Sequence, residues 1–381
     1  MQTRVFVGLV VLGVVWAFDS PAPTARSGQA FDSPAPTARS GQGFEWKLPP
    51  GIPRPRVPAD NPMSEAKVRL GRRLFYDTRL SGNGTFSCAS CHQQTRAFTD
   101  GRAHALGSTG QEHPRSAMSL ANVAFNASYG WADGRARTLE AQMAVPMFNE
   151  HPIELGLKGN EAEIVARIAA DRFDGPMFHE AFPSEAQPIT LDNIVKAIAS
   201  FERTIVSADS PLDRYLYRDD RGALTQDAQR GMALFFSDRL ACARCHSGFN
   251  LSGPTVHVGS AAVTPTFHNT GLYNTDGRGS YPAIDRGLFD TTHIQADMGR
   301  FRAPTLRNIA VTAPYMHDGS IPTLGEAVGH YASGGIKSPF KSPRLKGFAI
   351  TTAEVSDLVA FLNSLTDAEF LSNPALGAPG R

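Results

Sequence analysis

Two five-residue stretches of this sequence have the residue types and spacing to bind a porphyrin covalently. They are Cys88-Ala89-Ser90-Cys91-His92 and Cys242-Ala243-Arg244-Cys245-His246, and together they use all four cysteines of the chain. Two thiols one helical turn apart can each add to one vinyl group of a porphyrin, and the imidazole that follows can bind the iron. The spacing therefore predicts two haems of c type. The attachment residues are then Cys88, Cys91, Cys242 and Cys245, and the iron ligands are His92 and His246.

Two other uses of paired cysteines fit this pattern less well. A structural zinc site needs four nitrogen or sulfur ligands, and neither stretch has well-matched partners elsewhere. A thioredoxin-like redox pair would lie between a strand and a helix. Under either alternative, the histidine directly after both cysteine pairs would be a double coincidence.

Composition and the N-terminus indicate an exported protein. The formal charge is +1, from 37 basic and 36 acidic residues, which gives no reason to expect nucleic acid or an anionic membrane as a partner. Arg4 precedes an apolar run from Val5 to Phe18, which is shorter than the ~20 residues of a spanning helix. We therefore predict a signal peptide over 1–17, a periplasmic protein and no stable membrane insertion, with an uncleaved anchor as the alternative.

The chain after the signal divides into a tether and two similar halves. Residues 17–29 are repeated identically as 30–42, and this Pro-, Ser- and Ala-rich stretch predicts a flexible tether over 18–44. A common pattern, G-x-x-L-F-x-x-x-R-L, precedes each cysteine pair at 71–80 and 231–240. The fold prediction is mostly α with long loops, in two domains related by internal duplication. The predicted N-terminal domain is 45–206, and the predicted C-terminal domain is 207–381.

Helical stripes and caps support this class. Ser64 is the predicted N-cap of the helix that leads to the first cysteine pair, and Thr225, Gln226 and Asp227 open the helix that leads to the second. Apolar residues recur at helical spacing over 191–206 and 355–365, which predicts a helix near the end of each domain.

Five further stretches accompany the two haem motifs: Asp133-Gly134-Arg135-Ala136, Phe201-Glu202-Arg203-Thr204, Phe267 to Leu272, Phe301 to Asn308 and Thr312 to Gly319. Together with those motifs they resemble the bacterial di-haem cytochrome c peroxidase family, and its MauG branch more closely; MauG matures a tryptophylquinone cofactor in a partner enzyme. The resemblance runs from about Glu65 to Thr366. It implies two cytochrome c-type domains and reduction of hydrogen peroxide at the first haem, with electrons passed through the second from a small periplasmic donor protein or an oxidisable protein substrate.

The resemblance also implies catalytic residues on the distal side of the first haem. Heterolysis of a peroxide O–O bond needs an open iron site and a group that moves a proton between the two oxygens. In the family a Gln, a Pro four residues later and a Glu line this pocket, and Gln142, Pro146 and Glu154 match them. About two more residues precede Glu154 here than the family spacing has. Glu150 is therefore a rival for the role of the acid-base group.

The sequence departs from the family pattern at three places. Ser108 aligns where peroxidases carry a displaceable distal histidine, which favours an open first haem unless His104 or His113 replaces it. Ala132 occupies the place of an inter-haem tryptophan, and Trp131 precedes it. The family binds a calcium ion partly through backbone carbonyls, and Thr312 and Pro314 match those ligands. Ser116 aligns with the Asn that is a side-chain ligand in the family.

The sixth ligand of the second haem distinguishes the branches, because the MauG branch uses tyrosine and the peroxidase branch methionine. Tyr331 lies nineteen residues after Thr312, as the family spacing requires, and Met316 is the alternative. Two other functions stay open: MauG-type oxidation of a partner protein to mature its quinone cofactor, and a non-catalytic di-haem electron carrier.

Overall fold

Helices and long loops make up the computed structural model, which describes residues 44–380. The predicted signal peptide and the repeated segment lie outside these residues. The mostly helical fold class predicted from the sequence is confirmed. The helices are α1 (Glu65–Phe75), α2 (Cys88–Cys91), α3 (Leu139–Phe148), α4 (Glu161–Ala169), α5 (Asp174–Ala181), α6 (Leu191–Glu202), α7 (Pro211–Tyr217), α8 (Gln226–Phe235), α9 (Phe289–Thr292), α10 (Leu324–Ser333) and α11 (Thr352–Asn363).

A single small sheet is present among the described residues. Its strands are β1 (Phe267–His268) and β2 (Phe301–Arg302), which run antiparallel with Phe267 opposite Arg302. At two residues each, these strands are too short to stabilise the fold alone. The molecule is therefore held together by helix packing and loop contacts.

Two helix pairs form the centres of the two main hydrophobic cores. α1 packs on α6, and α8 packs on α11. In each pair a glycine permits close approach: a Cβ on Gly71 would lie 1.8 Å from the Ala197 carbonyl oxygen, and one on Gly231 would lie 1.9 Å from that of Asp357. Both glycines are the first residue of the shared G-x-x-L-F pattern, so the pattern has the same packing use in both halves.

The phenylalanine of the same pattern also repeats its packing. Phe75 lies edge-on to Phe201 of α6 with ring centroids 5.3 Å apart, and Phe235 contacts Phe361 of α11 at 5.2 Å. Aromatic pairs at such distances stabilise a core beyond the area they bury. Each cysteine pair therefore follows a helix that is anchored in a core.

Capping residues fix where these helices begin, as predicted for Ser64. The Ser64 hydroxyl accepts the Lys67 N–H at 3.2 Å, and the Thr225 hydroxyl accepts that of Ala228 at 3.2 Å. Side-chain acceptors satisfy N–H groups that have no partner within the helix. The helix predicted to span 191–206 ends earlier, at Glu202.

The C-terminal segment returns to the first half. Phe370 and Leu376 are buried in the core that α1 and α6 build, and the Tyr76 hydroxyl donates to the Leu376 carbonyl at 2.8 Å. Arg72 Nε donates to the Gly377 carbonyl at 2.7 Å. The domain bounds predicted above stay a prediction, but the last residues of the chain contact the first half.

None of the helices within residues 44–380 combines the length and apolar character that crossing a membrane requires.

Candidate active site

The first cysteine pair forms a single helical turn, α2, with His92 directly after it. The His92 Nδ1 lies 2.8 Å from the Phe98 carbonyl oxygen, to which it donates. This bond fixes the tautomer and ring orientation and leaves Nε2 as the lone-pair nitrogen. Burial lowers the pKa of His92, which keeps the imidazole neutral. The turn therefore presents two thiols and one metal-binding nitrogen together.

The second cysteine pair has the same arrangement on a tight 3₁₀ turn over Cys242–Arg244. The His246 Nδ1 donates to the Leu251 carbonyl at 3.0 Å, which puts the lone pair of the neutral ring on Nε2. All four thiols are free and only partly exposed. The residues present therefore fit two covalent haems, one for each motif.

Two buried polar atoms at the end of α6 have no hydrogen-bond partner among residues 44–380: Glu202 Oε2 and Arg203 Nη1. Burial, followed by the nearby Glu202 carboxyl, raises the pKa of the Cys88 thiol, so Glu202 lies near the first motif. A buried donor without a partner costs about 1–3 kcal/mol, so the Arg203 guanidinium N–H would suit an acidic group such as a haem propionate. Sequence reasoning found Glu202 and Arg203 only as part of a motif and gave them no role.

Helix α3 carries the predicted distal residues Gln142 and Pro146. Thr138 caps it, and Leu139, Met143 and Met147 point into the core. Gln142 and Pro146, one turn apart, are half-buried on another side, and the neighbouring Val145 is 45% exposed. This face of the helix is thus partly apolar and is not covered by other described residues. A flat apolar cofactor could pack against it.

The end of α3 positions Glu154. The Pro146 carbonyl accepts the Leu155 N–H at 2.9 Å, so the segment that carries Glu154 runs beside the helix terminus. The Glu154 carbonyl accepts the Ser108 N–H at 2.7 Å. Gly107 makes this contact possible, because a Cβ there would lie 1.8 Å from the Ile153 carbonyl oxygen.

The Glu154 carboxyl has the electrostatics of an acid-base group. Burial raises its pKa to about 7. Its charge also raises the pKa of Cys91, after burial and Asp100, so the carboxyl lies near the first haem motif. Its Oε1 is 4.0 Å from His113 Nε2. A carboxyl that titrates near neutral pH can both take and give a proton there.

Glu150, the rival acid, is in a different setting. It is exposed and forms a salt bridge with Lys158 at 2.5 Å, which lowers its pKa. It lines a cleft of about 290 Å³ together with Ser108 and Lys158. A solvated, ion-paired carboxylate is a poor proton donor at neutral pH, so the geometry favours Glu154.

The two histidines that could replace Ser108 differ in position. His104 is exposed and lies 3.8 Å from Glu112. His113 faces Glu154, and its Nδ1 accepts the Arg115 N–H at 3.1 Å. Only His113 is therefore next to the predicted distal residues.

Tyr331 and Met316, the two candidates for the sixth ligand of the second haem, lie in different parts of the structure. Tyr331 lies within α10, which ends at Ser333 and is capped by Gly334. Burial and then the thiols Cys245 and Cys242 raise the pKa of its phenol, so it lies beside the second motif. The Met316 carbonyl instead lies 3.5 Å from the Ser116 hydroxyl, in a loop against the first half.

The predicted calcium ligands and Trp131 lie near the same loop. The Ser116 carbonyl accepts the Trp131 indole N–H at 2.9 Å. The Ser116 backbone N–H donates to the His317 carbonyl at 2.8 Å. The Thr312 hydroxyl donates to the Ile309 carbonyl at 3.1 Å. Within residues 44–380, no three acidic, cysteine or histidine side chains converge on a metal site. Calcium at Thr312 and Pro314 would rely on backbone carbonyls and stays a prediction.

Two anchored haem-binding motifs on a mostly helical fold, with a buried carboxyl near the first motif, are the features of a di-haem c-type cytochrome. Residues 65–221 match the sequence profile of the family described as di-haem cytochrome c peroxidase. The methylamine utilization protein MauG of Methylorubrum extorquens is 35% identical over 320 residues, which is 84% of this chain and 83% of that protein. The chain belongs to this family.

Two further relatives represent its two branches. The cytochrome c551 peroxidase of Pseudomonas aeruginosa is 33% identical over 305 residues, 80% of each chain. The crystal structure of a MauG-like protein associated with microbial copper homeostasis is 48% identical, with a TM-score of 0.86, over 89% of this chain and all of that one. The chain is accordingly a peroxidase-like oxidoreductase, as its sequence predicted.

Proposed function

We propose that this chain is a periplasmic enzyme that reduces hydrogen peroxide at the haem held by Cys88, Cys91 and His92. Electrons reach it through the haem held by Cys242, Cys245 and His246, and each turnover converts one peroxide, two electrons and two protons into two waters. The observation that carries the proposal is Glu154, a carboxyl with a pKa of about 7 near Cys91 of the first motif.

Cys88, Cys91 and His92 would hold the first haem, which would supply an iron able to reduce peroxide. The protein residues handle the protons. Glu154 removes the proton from one peroxide oxygen and returns it to the other, which leaves as water when the O–O bond breaks; the remaining oxygen becomes the second water with the two electrons and two protons. The Gln142 amide orients the peroxide by hydrogen bonding. Pro146 fixes Glu154 through its carbonyl bond to Leu155 and presents an apolar ring that limits water.

A matched pair of substitutions tests this assignment. Glu154→Gln removes the titrating group with little change in shape, and we expect the reaction with peroxide to slow roughly 10²- to 10⁴-fold. Glu150→Gln is the control, and we expect it to react like the wild type because its carboxylate is exposed and ion-paired. Stopped-flow spectroscopy of the holoprotein with peroxide measures both. Wild-type rates in Glu154→Gln, with a loss in Glu150→Gln, would move the role to Glu150.

The pH dependence gives a second measurement. The first proton transfer needs Glu154 ionised, and its raised pKa means that the ionised fraction grows as pH rises through about 7. We therefore expect the rate of the peroxide reaction to rise over the same range in the wild type. This rise of the rate with pH, the pH limb, should be absent in Glu154→Gln. A pH-independent rate between 5 and 9 in the wild type would contradict the role.

A MauG-type reaction, in which the electrons come from a partner protein that is oxidised, is the second candidate. Ser108 in place of a distal histidine and Tyr331 beside the second motif favour it. An anionic phenolate favours ferric and higher states of iron, so the second haem would share oxidising equivalents rather than store a donated electron. The 48% identity to a MauG-like protein points to the same branch. Mass spectrometry of periplasmic proteins captured by the holoprotein, with and without peroxide, would distinguish an oxidised partner from a simple electron donor.

The division into two cytochrome c domains by duplication is part of the proposal. The equivalent contacts of Gly71 and Gly231, and of Phe75 and Phe235, support it. A non-catalytic electron carrier would need both irons permanently six-coordinate. Ser108 argues against a six-coordinate first haem, because a serine hydroxyl is a poorer ligand for haem iron than a histidine imidazole.

A further inference from the structure

The His113 side chain faces the Glu154 carboxyl. Its Nε2 lies 4.0 Å from Glu154 Oε1, and the two side chains are 25% and 31% exposed. A hydrogen bond needs about 2.7–3.2 Å, so an approach of about 1 Å would form one. Catalytic hydrogen bonds are often long without substrate and tighten when it binds.

The protonation state of His113 is fixed by its own loop. Its Nδ1 accepts the Arg115 backbone N–H at 3.1 Å, so the imidazole proton must be on Nε2, the atom that faces Glu154. Burial, followed by the charge of Arg115, lowers the pKa of His113 to about 4, and the ring is therefore neutral at pH 7. It offers Glu154 a neutral N–H donor, which stabilises the carboxylate without an ion pair.

The second half of the chain holds this loop in place. Arg115 binds Asp285 through two hydrogen bonds of 2.7 Å, and both side chains are largely buried. Three charged or titratable groups act on the pKa of His113: Arg115 and His104 lower it, and Asp285 raises it. His104 is exposed. A bidentate buried pair has little freedom, so the Arg115 N–H that orients the imidazole is itself fixed.

We propose that His113 is a positioning residue for Glu154: its Nε2–H, oriented by the Arg115 backbone, holds the carboxyl in place and favours its ionised form. This inference rests on the proposed role of Glu154 in peroxide reduction. It assigns His113 to the proton-transfer group rather than to the iron.

Two substitutions of the same residue separate its two nitrogens. His113→Asn keeps an acceptor at the position of Nδ1 for the Arg115 N–H but loses the donor toward Glu154. His113→Gln keeps a donor near the position of Nε2. We expect His113→Asn to slow the peroxide reaction about tenfold at neutral pH and to move its pH limb about one unit to higher pH, because the ionised carboxyl loses a hydrogen bond. His113→Gln should retain most of the wild-type rate.

The decisive readouts are a direct titration and a double mutant. Infrared difference spectroscopy of the resting holoprotein follows the protonated carboxyl of Glu154 against pH, and this titration should move upward in His113→Asn. Adding His113→Asn to Glu154→Gln should cause no further loss of rate, because the positioned group is already gone. Haem content and the resting spectrum should be unchanged in every variant.

The failures are distinguishable. If Glu154→Gln is slow but His113→Asn titrates and reacts like the wild type, the inference is wrong and the proposed function stands. If His113→Asn slows the reaction equally with and without Glu154, His113 acts only on the structure of the loop, and the inference is again wrong. If Glu154→Gln reacts like the wild type, the proposed role of Glu154 fails and the inference falls with it.

Discussion

Replacing Gly71 with alanine should destabilise the first half strongly, although alanine is the better helix former. The added Cβ would lie 1.8 Å from the Ala197 carbonyl oxygen, in the backbone of α6. An ordinary contact of this type is about 3.4 Å, so α1 and α6 would have to separate by roughly 1.5 Å. The side chains between them, such as Leu70 and Ile198, are fully buried and would lose contact with each other.

The magnitude follows from two opposing effects. Alanine in a helix interior gains about 1 kcal/mol over glycine. Overpacking a core typically costs 1–3 kcal/mol, and the clash here is with backbone, which cannot rotate away. We therefore use the upper end of that range, about 3 kcal/mol, and subtract the gain of about 1 kcal/mol, which leaves a net loss of about 2 kcal/mol in the free energy of unfolding for Gly71→Ala. Gly231→Ala should behave alike, because its Cβ would lie 1.9 Å from the Asp357 carbonyl oxygen.

Gly329→Ala is the matched control. Gly329 is an exposed residue inside α10, and a Cβ there would meet no atom of the described residues within 4 Å. The same substitution should therefore stabilise by up to about 1 kcal/mol. Denaturant unfolding of the holoprotein, followed by haem absorbance and circular dichroism, measures all three variants. If Gly71→Ala is as stable as Gly329→Ala, the close packing of α1 on α6 is wrong.

Three further predictions concern the haems. Mass spectrometry of the denatured protein should find two added porphyrins, since two complete motifs use all four cysteines; fewer would contradict the attachment residues. Cyanide should bind the oxidised first haem without prior reduction because Ser108 replaces a ligand histidine, and a fully low-spin, inert ferric protein would instead point to His104 or His113. Tyr331→Phe should alter the ferric spectrum of the second haem while Met316→Leu leaves it unchanged; a far-red sulfur-to-iron band lost only in Met316→Leu would reverse the assignment.

The sequence predicted the elements of the fold that depend on local pattern. Ser64 and Thr225 cap their helices because a hydroxyl at that position satisfies an N–H three residues ahead. The apolar stripe over 191–206 is helical, but α6 stops at Glu202, because the three residues that follow turn back through short local hydrogen bonds. The C-terminal segment that packs beside Tyr76 was not foreseen, since about 300 residues separate the partners and no periodicity marks them.

The site was predictable only as far as motif spacing reaches. C-x-x-C-H fixes which residues attach a haem, because its chemistry is contained in five consecutive positions. The choice between Glu150 and Glu154 could not be made that way, since both are loop carboxyls four residues apart. It depends on which of them Lys158 reaches and which is buried beside Ser108 and Cys91. The approach of His113 to Glu154 depends on the same tertiary contacts.

The loop at 113–116 explains why variants near the first haem need two readouts. His113 faces Glu154, Arg115 binds Asp285, and Ser116 bonds both His317 and Trp131. Residues one to three positions apart thus contact the predicted distal pocket and the second half of the chain. A substitution that moves this backbone changes both surroundings at once, because hydrogen bonds of fixed length join them. A lost rate alone therefore cannot assign a residue here to proton transfer or to electron transfer, whereas the titration of Glu154 together with the spectrum of the second haem can.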